Sequence, residues 1–190
     1  MSTRVVVLPP VPALLPAYVG RVDAVEELRN ACRKAIGWLL DDCAAPLVAL
    51  ADPHGSEVPL GIRVARSLLD EAGYEGEIHR HAGTSAPGGL LVMANGSGSR
   101  SAKAPGHLDP RSFPFDEQIE TALAEGDPAG LADLDVALGR DLLASGIEPL
   151  RQLGAMRPEV EAADLSYADD PYGVRYWVAT WLCESAPRAR

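Results

Sequence analysis

Aromatic residues are scarce in this chain. Only 5% of its 190 residues are Phe, Trp or Tyr, whereas hydrophobic residues reach 47%. A core with so few large rings must be filled mainly by Ala, Val and Leu, packed at the density usual for protein interiors. The length suits one domain with a real core. We therefore predict a single domain over residues 1–190, with a frayed tail at 185–190.

Cysteines are also few. Cys32, Cys43 and Cys183 are odd in number, lie far apart and form no CxxC pair. This pattern argues against a disulfide framework and against a cysteine zinc site. Cys32 falls on the apolar stripe of a predicted helix, where a small core residue is the favoured interpretation. The reducing cytoplasm is the expected compartment.

Positive charge and long apolar runs are lacking too. The chain has 17 Lys and Arg against 27 Asp and Glu, a net charge of −10. Such a surface repels phosphate backbones, so we expect no nucleic-acid partner. No apolar run approaches the roughly 20 residues of a membrane span, and the run before Pro9 is too short for a signal peptide. We expect no membrane association; a small-molecule ligand and a homo-oligomer are both compatible with the composition.

Buried strands alternate with helices in the first half of the chain. Continuous aliphatic runs at residues 4–8, 46–51 and 89–94 predict strands covered on both faces. Helical spacing predicts a helix over 23–41 with Asp23 as its N-cap, and a second helix that ends at Gly73. This order predicts an α/β fold in three layers: a mostly parallel sheet flanked by helices, with residues 77–81 as a short edge strand.

The second half of the chain predicts short helices and then a hairpin. Asp116, Asp127 and Asp135 are each interpreted as a helix N-cap. Residues 163–167 and 172–183 are rich in β-forming residues and predict a C-terminal hairpin with its turn at Asp169, Asp170 and Pro171. Residues 95–115 show no periodicity, so this segment is expected to be either functional or disordered.

Candidate chemistry lies in the loops that follow the strands, because open α/β sheets bind ligands beyond the carboxyl ends of their strands. The first loop has no acidic, basic or histidine side chain between Leu8 and Arg21 and is interpreted as a rigid proline-rich connection. The second loop offers Asp52 and His54. His54 can ligate a metal or act as a base, and it can equally cap the following turn.

The third loop begins with residues 95–101, NGSGSRS, directly after a strand. Its backbone amides are able to form an anion nest, although small polar residues also make flexible loops. A Walker P-loop is excluded because the Gly-Lys-Ser/Thr ending is absent. The candidate substrate- or anion-binding residues of this loop are Asn95, Ser97, Lys103 and Arg111.

Residues 103–111, KAPGHLDPR, bring Lys, His, Asp and Arg together within nine positions. His107 and Asp109 are the candidate catalytic pair, which can bind a metal or use the carboxylate to orient the imidazole. A structural network in which Asp109 pairs with Arg111 and ties the loop down is equally open. His79 and His81 have the spacing of a metal pair on one face of a strand, but solvent exposure at a sheet edge is favoured.

Three stretches of this sequence resemble one family. Residues 90–97 (LLVMANGS) followed by 103–111 are similar to a signature of short actinobacterial proteins assigned to the catalytic chains of the class III extradiol ring-cleavage dioxygenases. Residues 167–174 (YADDPYGV) and 8–16 (LPPVPALLP) resemble the closing hairpin and the opening segment of the same proteins. The resemblance spans nearly the whole chain.

The resemblance implies an Fe(II) site held by two histidines and a glutamate, with a further histidine as base. The family's opening segment usually reads Cys-Pro-His-Pro-Pro, and Pro10 occupies the position of its ligand histidine. The second ligand position points to His54, while the glutamate has no assigned counterpart. Asn95 stands where the family usually has Asp. The resemblance therefore implies no intact iron site.

Two hypotheses follow from these residues. One is an enzyme or relic enzyme of the dioxygenase-like group, with Fe(II) as its cofactor if the family chemistry is retained. The other is a non-catalytic small-molecule-binding, anion-binding or assembly protein that keeps the fold and needs no cofactor. Pro10 favours a degenerate or repurposed relative over an active dioxygenase.

Overall fold

A computed structural model describes residues 2–18, 20, 23–41, 47–52, 58–80 and 88–184. Its sheet has six strands, in the spatial order β3-β2-β4-β1-β6-β5. The strands are β1 Ser2–Leu8, β2 Leu47–Leu50, β3 Ile78–His79, β4 Gly89–Met93, β5 Val160–Asp169 and β6 Tyr176–Glu184. The first four are parallel, and β6 joins β1 and β5 by antiparallel pairing. The predicted α/β fold with a mostly parallel sheet and a C-terminal hairpin is confirmed.

Helices cover both faces of this sheet. They are α1 Glu26–Leu40, α2 Leu60–Glu71, α3 Ser112–Glu125, α4 Pro128–Ala132, α5 Val136–Asp141 and α6 Ile147–Ala155, with two short 3-10 helices at Pro12–Leu14 and Pro16–Tyr18. Along β1, Val6 and Leu8 face α1 and α2, whereas Val5 and Val7 face the layer built from α3 to α6. Successive side chains of a strand point to opposite faces, so one continuous apolar run packs into the two hydrophobic cores, one on each face of the sheet.

Two of the few aromatic residues lie at the centre of the core between the sheet and the layer built from α3 to α6. Trp177 and Trp181 on β6 are fully buried. Their indole nitrogens donate to the Glu120 carboxylate at 3.2 Å and to the Leu123 carbonyl oxygen at 2.8 Å. The core is otherwise largely aliphatic, as predicted, but these two rings connect β6 to α3.

Helix α1 begins at Glu26 rather than at Asp23, so the predicted N-cap is wrong. The Asp23 carboxylate accepts a hydrogen bond from the Val25 amide at 3.1 Å and pairs with the Arg29 guanidinium at 2.6 Å. Arg29 is almost fully buried and also donates to the carbonyl oxygens of Ala13 and Leu14. Asp23 thus serves an ion pair that holds the loop after β1 against α1.

Asp116 does not cap a helix either, because α3 begins at Ser112, inside the segment that showed no periodicity. The other two predicted caps are confirmed: the side chains of Asp127 and Asp135 accept from the amides of Ala129 and Leu138. The hairpin turn spans residues 170–175, and the Gly173 amide donates to the Asp170 carbonyl oxygen. The predicted tail at 185–190 lies outside the described residues.

Buried thiols give a first testable prediction. Cys32 and Cys183 are almost fully buried, and burial raises the pKa of Cys32 to about 12 and that of Cys183 to about 11. Only the thiolate is a good nucleophile. In a Cys43→Ser variant, which removes the cysteine outside the described residues, we expect no labelling by an aromatic disulfide reagent at neutral pH in the native state.

Denaturing the same variant should expose both thiols to rapid labelling, which is the internal control. The absorbance of the released thiolate measures both states. Fast labelling of the folded variant would contradict the burial of these two side chains.

Candidate functional site

The neighbouring strands β1 and β4 form a topological switch point. After β1 the chain enters α1 on one face of the sheet, and after β4 it enters α3 on the opposite face. Open α/β sheets bind ligands at such a point, in the crevice beyond the carboxyl ends of the two strands. The segments that follow these strands begin with Pro9 and Pro10 after β1 and with Ala94 and Asn95 after β4. We call this place the switch-point crevice.

Neither side of the switch-point crevice carries an ionisable group at the strand end. Pro10 is half-buried. Asn95 is 6% exposed, its backbone amide donates to the Ser145 carbonyl oxygen at 2.9 Å, and its side-chain amide donates to the Gly96 carbonyl oxygen at 2.9 Å. Asn95 is therefore tied to the connection between α5 and α6 and does not extend towards solvent.

Asp52 supplies a carboxylate at the same edge, two residues after the end of β2. It is half-buried, and one of its oxygens accepts from the Gly146 amide at 2.6 Å. His54, the candidate metal ligand, lies outside the described residues. Among those that are described, no group of three or more His, Cys, Asp or Glu side chains is arranged to hold a metal ion.

The glycine- and serine-rich segment after β4 is buried, not open to solvent. Residues 95–99 are each less than one-tenth exposed. Their amides already have acceptors inside the protein: Gly96 donates to Arg175, Gly98 to Leu142, and Ser97 to Asp116. The anion nest predicted here, with Asn95 and Ser97 as binding residues, is therefore occupied by the protein's own oxygen atoms.

The acceptor that meets Ser97 is the carboxylate of Asp116, which is 1% exposed. The Ser97 amide donates to it at 2.8 Å, the Ser97 hydroxyl at 2.6 Å and the Arg100 guanidinium at 3.0 Å. Burial raises the pKa of Asp116, and the hydrogen bonds from Ser97 and Arg100 oppose part of that rise. We call Ser97, Arg100 and Asp116 the Asp116 cluster.

Arg100 extends the Asp116 cluster to the C-terminal hairpin. Its guanidinium pairs with Asp170 in the hairpin turn and lies over the Phe113 ring, 4.7 Å from the centroid. Further along α3, the Glu120 carboxylate accepts hydrogen bonds from the Arg175 guanidinium and the Trp177 indole. These contacts fasten the loop after β4, α3 and the hairpin to one another. The sequence did not predict the contacts of Arg100 or those of Glu120, because the residues that they join lie far apart in the chain.

The candidate catalytic pair does not form a dyad in this structure. Asp109 pairs with Arg111 at 2.8 Å and accepts from the Arg111 amide at 2.9 Å, and this guanidinium lowers the pKa of the Asp109 carboxyl. His107 is exposed, has a positive φ of 56°, and its Nδ1 lies 3.3 Å from the Ala102 carbonyl oxygen. Within the described hydrogen bonds none joins His107 to Asp109, so the structural alternative describes Asp109 better.

The remaining candidates are dispersed over the surface. Lys103 and Arg111 are exposed, and Arg111 also lies 3.7 Å from Asp141. His79 is exposed on the edge strand β3, while His81 lies outside the described residues. The structure thus does not gather Asn95, Lys103 and Arg111 around one cavity.

No protein-family profile matches the sequence, and no curated protein matches it either. Within the described ranges, no helix is both long enough and apolar enough to cross a membrane.

Proposed function

We propose that this chain is a repurposed relative of the class III extradiol ring-cleavage dioxygenases, a cytoplasmic protein that binds a small molecule without the family's iron centre. The observation that carries this proposal is the switch-point crevice, where Pro10 follows β1 and Asn95 follows β4. These are the two positions at which the sequence departs from the residues that the resemblance implies.

Iron binding by a facial triad requires three protein ligands with open positions opposite them. Proline has no side-chain donor, and the Asn95 amide already donates to the Gly96 carbonyl oxygen. Loss of outer-shell partners alone costs about 10–100-fold in metal affinity, so loss of a direct ligand costs more. The donors described at this edge therefore do not fit the Fe(II) site, and no step of ring cleavage is assigned to them.

The segment after β4, which contains the candidate catalytic residues, supports the same proposal. The carboxylates of Asp109 and Asp116 are each paired with an arginine: Asp109 with Arg111 in the same loop, and Asp116 with Arg100 across two segments. A carboxylate whose pKa an arginine lowers, as for Asp109, is a poor proton acceptor near neutral pH. Among the described residues that follow β2, Asp52 offers a carboxylate at this edge of the sheet, which suits hydrogen bonding to a hydroxyl or amino group of a small ligand.

Metal content and oxygen uptake test this proposal. We expect protein prepared without a histidine tag, incubated anaerobically with Fe(II) and desalted, to retain far less than one iron per chain. The same sample should consume no oxygen on addition of catechols. Stoichiometric iron together with catechol-dependent oxygen uptake would establish an active dioxygenase instead.

A Pro10→His variant sharpens the test, with Pro10→Ala as its matched control. If Pro10 occupies the position of the lost ligand, the new imidazole should tighten Fe(II) binding at least tenfold, and alanine should leave it unchanged. Adding His54→Ala to the Pro10→His chain should abolish the gain. Equal Fe(II) affinity in the histidine and alanine variants would contradict the assignment of Pro10.

A further inference from the structure

An open groove of about 510 Å³ lies beside α2 and the edge strand β3. Its walls include three arginines, Arg63 and Arg66 on α2 and Arg80 just after β3. The volume is in the range of about 300–1,000 Å³ that small-molecule sites occupy. We call it the arginine groove.

The charge of this groove is opposite to that of the protein as a whole. Among the described residues, three guanidinium groups line it in a chain of net charge −10, against a single lining carboxylate, that of Asp70. Arg66 lies 3.6 Å from Asp70 and donates to the Gly76 carbonyl oxygen at 3.1 Å, so its position is held from within the protein. Among the described residues, Arg63 and Arg80 have no ion-pair partner.

The spacing of the arginines on α2 destabilises the folded protein when no ligand is bound. Arg63 and Arg66 are three residues apart and therefore neighbours on the surface of α2, where like charges repel and destabilise the helix. Strand pairing of β3 with β2 brings Arg80 to the same groove. An anion bound in the groove would offset this repulsion, because guanidinium forks match carboxylate and phosphate groups.

The rest of the groove is apolar. Leu15, from the loop after β1, together with Ile62 on α2 and Ile78 on β3, forms part of its wall. Leu15 is nearly buried, and the loop that carries it is anchored through the Ala13 and Leu14 carbonyl oxygens to Arg29. Part of the apolar surface is therefore preformed, which lowers the cost of ordering it when a ligand binds.

We propose that the arginine groove binds a small amphipathic anion. Arg63, Arg66 and Arg80 hold its carboxylate or phosphate head, and its short aliphatic or aromatic tail lies on Leu15, Ile62 and Ile78. Pro10, Asp52 and Asn95 do not line this groove. The inference is consequently independent of the proposed loss of iron chemistry.

Isothermal titration calorimetry with four probes tests the site: hexanoate, hexyl phosphate, inorganic phosphate and the neutral hexanamide, all at one low ionic strength. We expect hexanoate or hexyl phosphate, or both, to bind at least tenfold more tightly than hexanamide, because only the anions meet the guanidinium groups. Each amphipathic anion that binds should also have a higher affinity than inorganic phosphate, which lacks the apolar tail. The ranking of the two amphipathic anions identifies the preferred head group.

The Arg63→Gln/Arg80→Gln variant should lower the affinity for the preferred anion at least tenfold. Arg140→Gln, an exposed arginine on α5 in the opposite layer, is the matched control and should change nothing. Arg63 and Arg80 are both exposed, so the thermal unfolding temperature of the double variant should match that of the wild type. The single variants decide the question if the double variant misfolds.

Three results would overturn the inference. One is the absence of saturable binding for both amphipathic anions. Another is binding that the glutamine variants leave unchanged. The third is inorganic phosphate binding as tightly as hexyl phosphate, since that would remove any contribution from the apolar wall.

Discussion

Replacing Gly146 with alanine should destabilise the protein by about 3 kcal/mol, because the site has neither the space nor the backbone conformation for a side chain. Gly146 has a φ of +80°, a left-handed conformation that costs an L-residue about 1–2 kcal/mol. A Cβ there would overlap the Met93 carbonyl oxygen and lie 2.5 Å from the Ala94 Cα atom. These are backbone atoms, so a side-chain rotation cannot relieve the overlap.

The effect should extend to the carboxyl edge of the sheet. The Gly146 amide donates to the Asp52 carboxylate, and the preceding residue, Ser145, accepts from the Asn95 amide. Pushing Gly146 away from β4 weakens both contacts at once. Urea-induced unfolding, followed by tryptophan fluorescence, measures the loss because Trp177 and Trp181 report on the adjacent core.

Gly73→Ala is the matched control for the energetic cost of the left-handed backbone conformation. Gly73 has a similar φ of +78°, but no atom lies within 4 Å of the position that a Cβ would take. Its alanine variant should lose only about 1 kcal/mol. Equal losses at Gly73 and Gly146 would contradict the close approach of the α5–α6 connection to the end of β4.

Asp116→Ala should cost about 3 kcal/mol of unfolding free energy, because it removes the buried acceptor of three hydrogen bonds while Arg100 keeps its ion pair with Asp170. The variant leaves the Arg100 guanidinium and the Ser97 amide without the acceptor that they share in the native protein. Asp116→Asn keeps an oxygen for the Ser97 amide and removes the buried charge, so a smaller loss is expected. Equilibrium unfolding in urea compares the two variants.

The neighbouring Glu117 provides the control, since it is exposed on the same turn of α3. Glu117→Ala should change stability by no more than about 0.5 kcal/mol. A double-mutant cycle with Ser97→Ala should give a coupling energy of about 1 kcal/mol or more, because the two side chains are directly hydrogen-bonded. Additive losses would show that the Asp116 cluster does not act as a unit.

The Asp116 cluster changes the interpretation of the segment that follows β4. A run of glycine and serine after a buried strand indicates amides that bind an anion. In this structure the Ser97 amide donates to the carboxylate of Asp116, nineteen residues further along the chain, and the Gly96 and Gly98 amides donate to backbone carbonyl oxygens. The segment therefore stabilises the fold.

Local patterns were sufficient for most of the framework. Continuous aliphatic runs located β1, β2 and β4, because a strand covered on both faces must be apolar throughout. Asp127 and Asp135 were recognised as N-caps since each bonds to an amide only two or three residues away. Asp23 and Asp116 were predicted as caps by the same reasoning, but each pairs with an arginine instead.

The sequence by itself determined the α/β fold, the layer order and the absence of a side-chain donor at Pro10, because periodicity, capping and residue chemistry are local properties. Tertiary structure decided which charged groups meet. Arg100 reaches Asp116 only when α3 packs on the sheet, and Arg80 joins Arg63 and Arg66 only when β3 pairs with β2. Such contacts depend on the packing of elements distant in the chain, so no local pattern marks them.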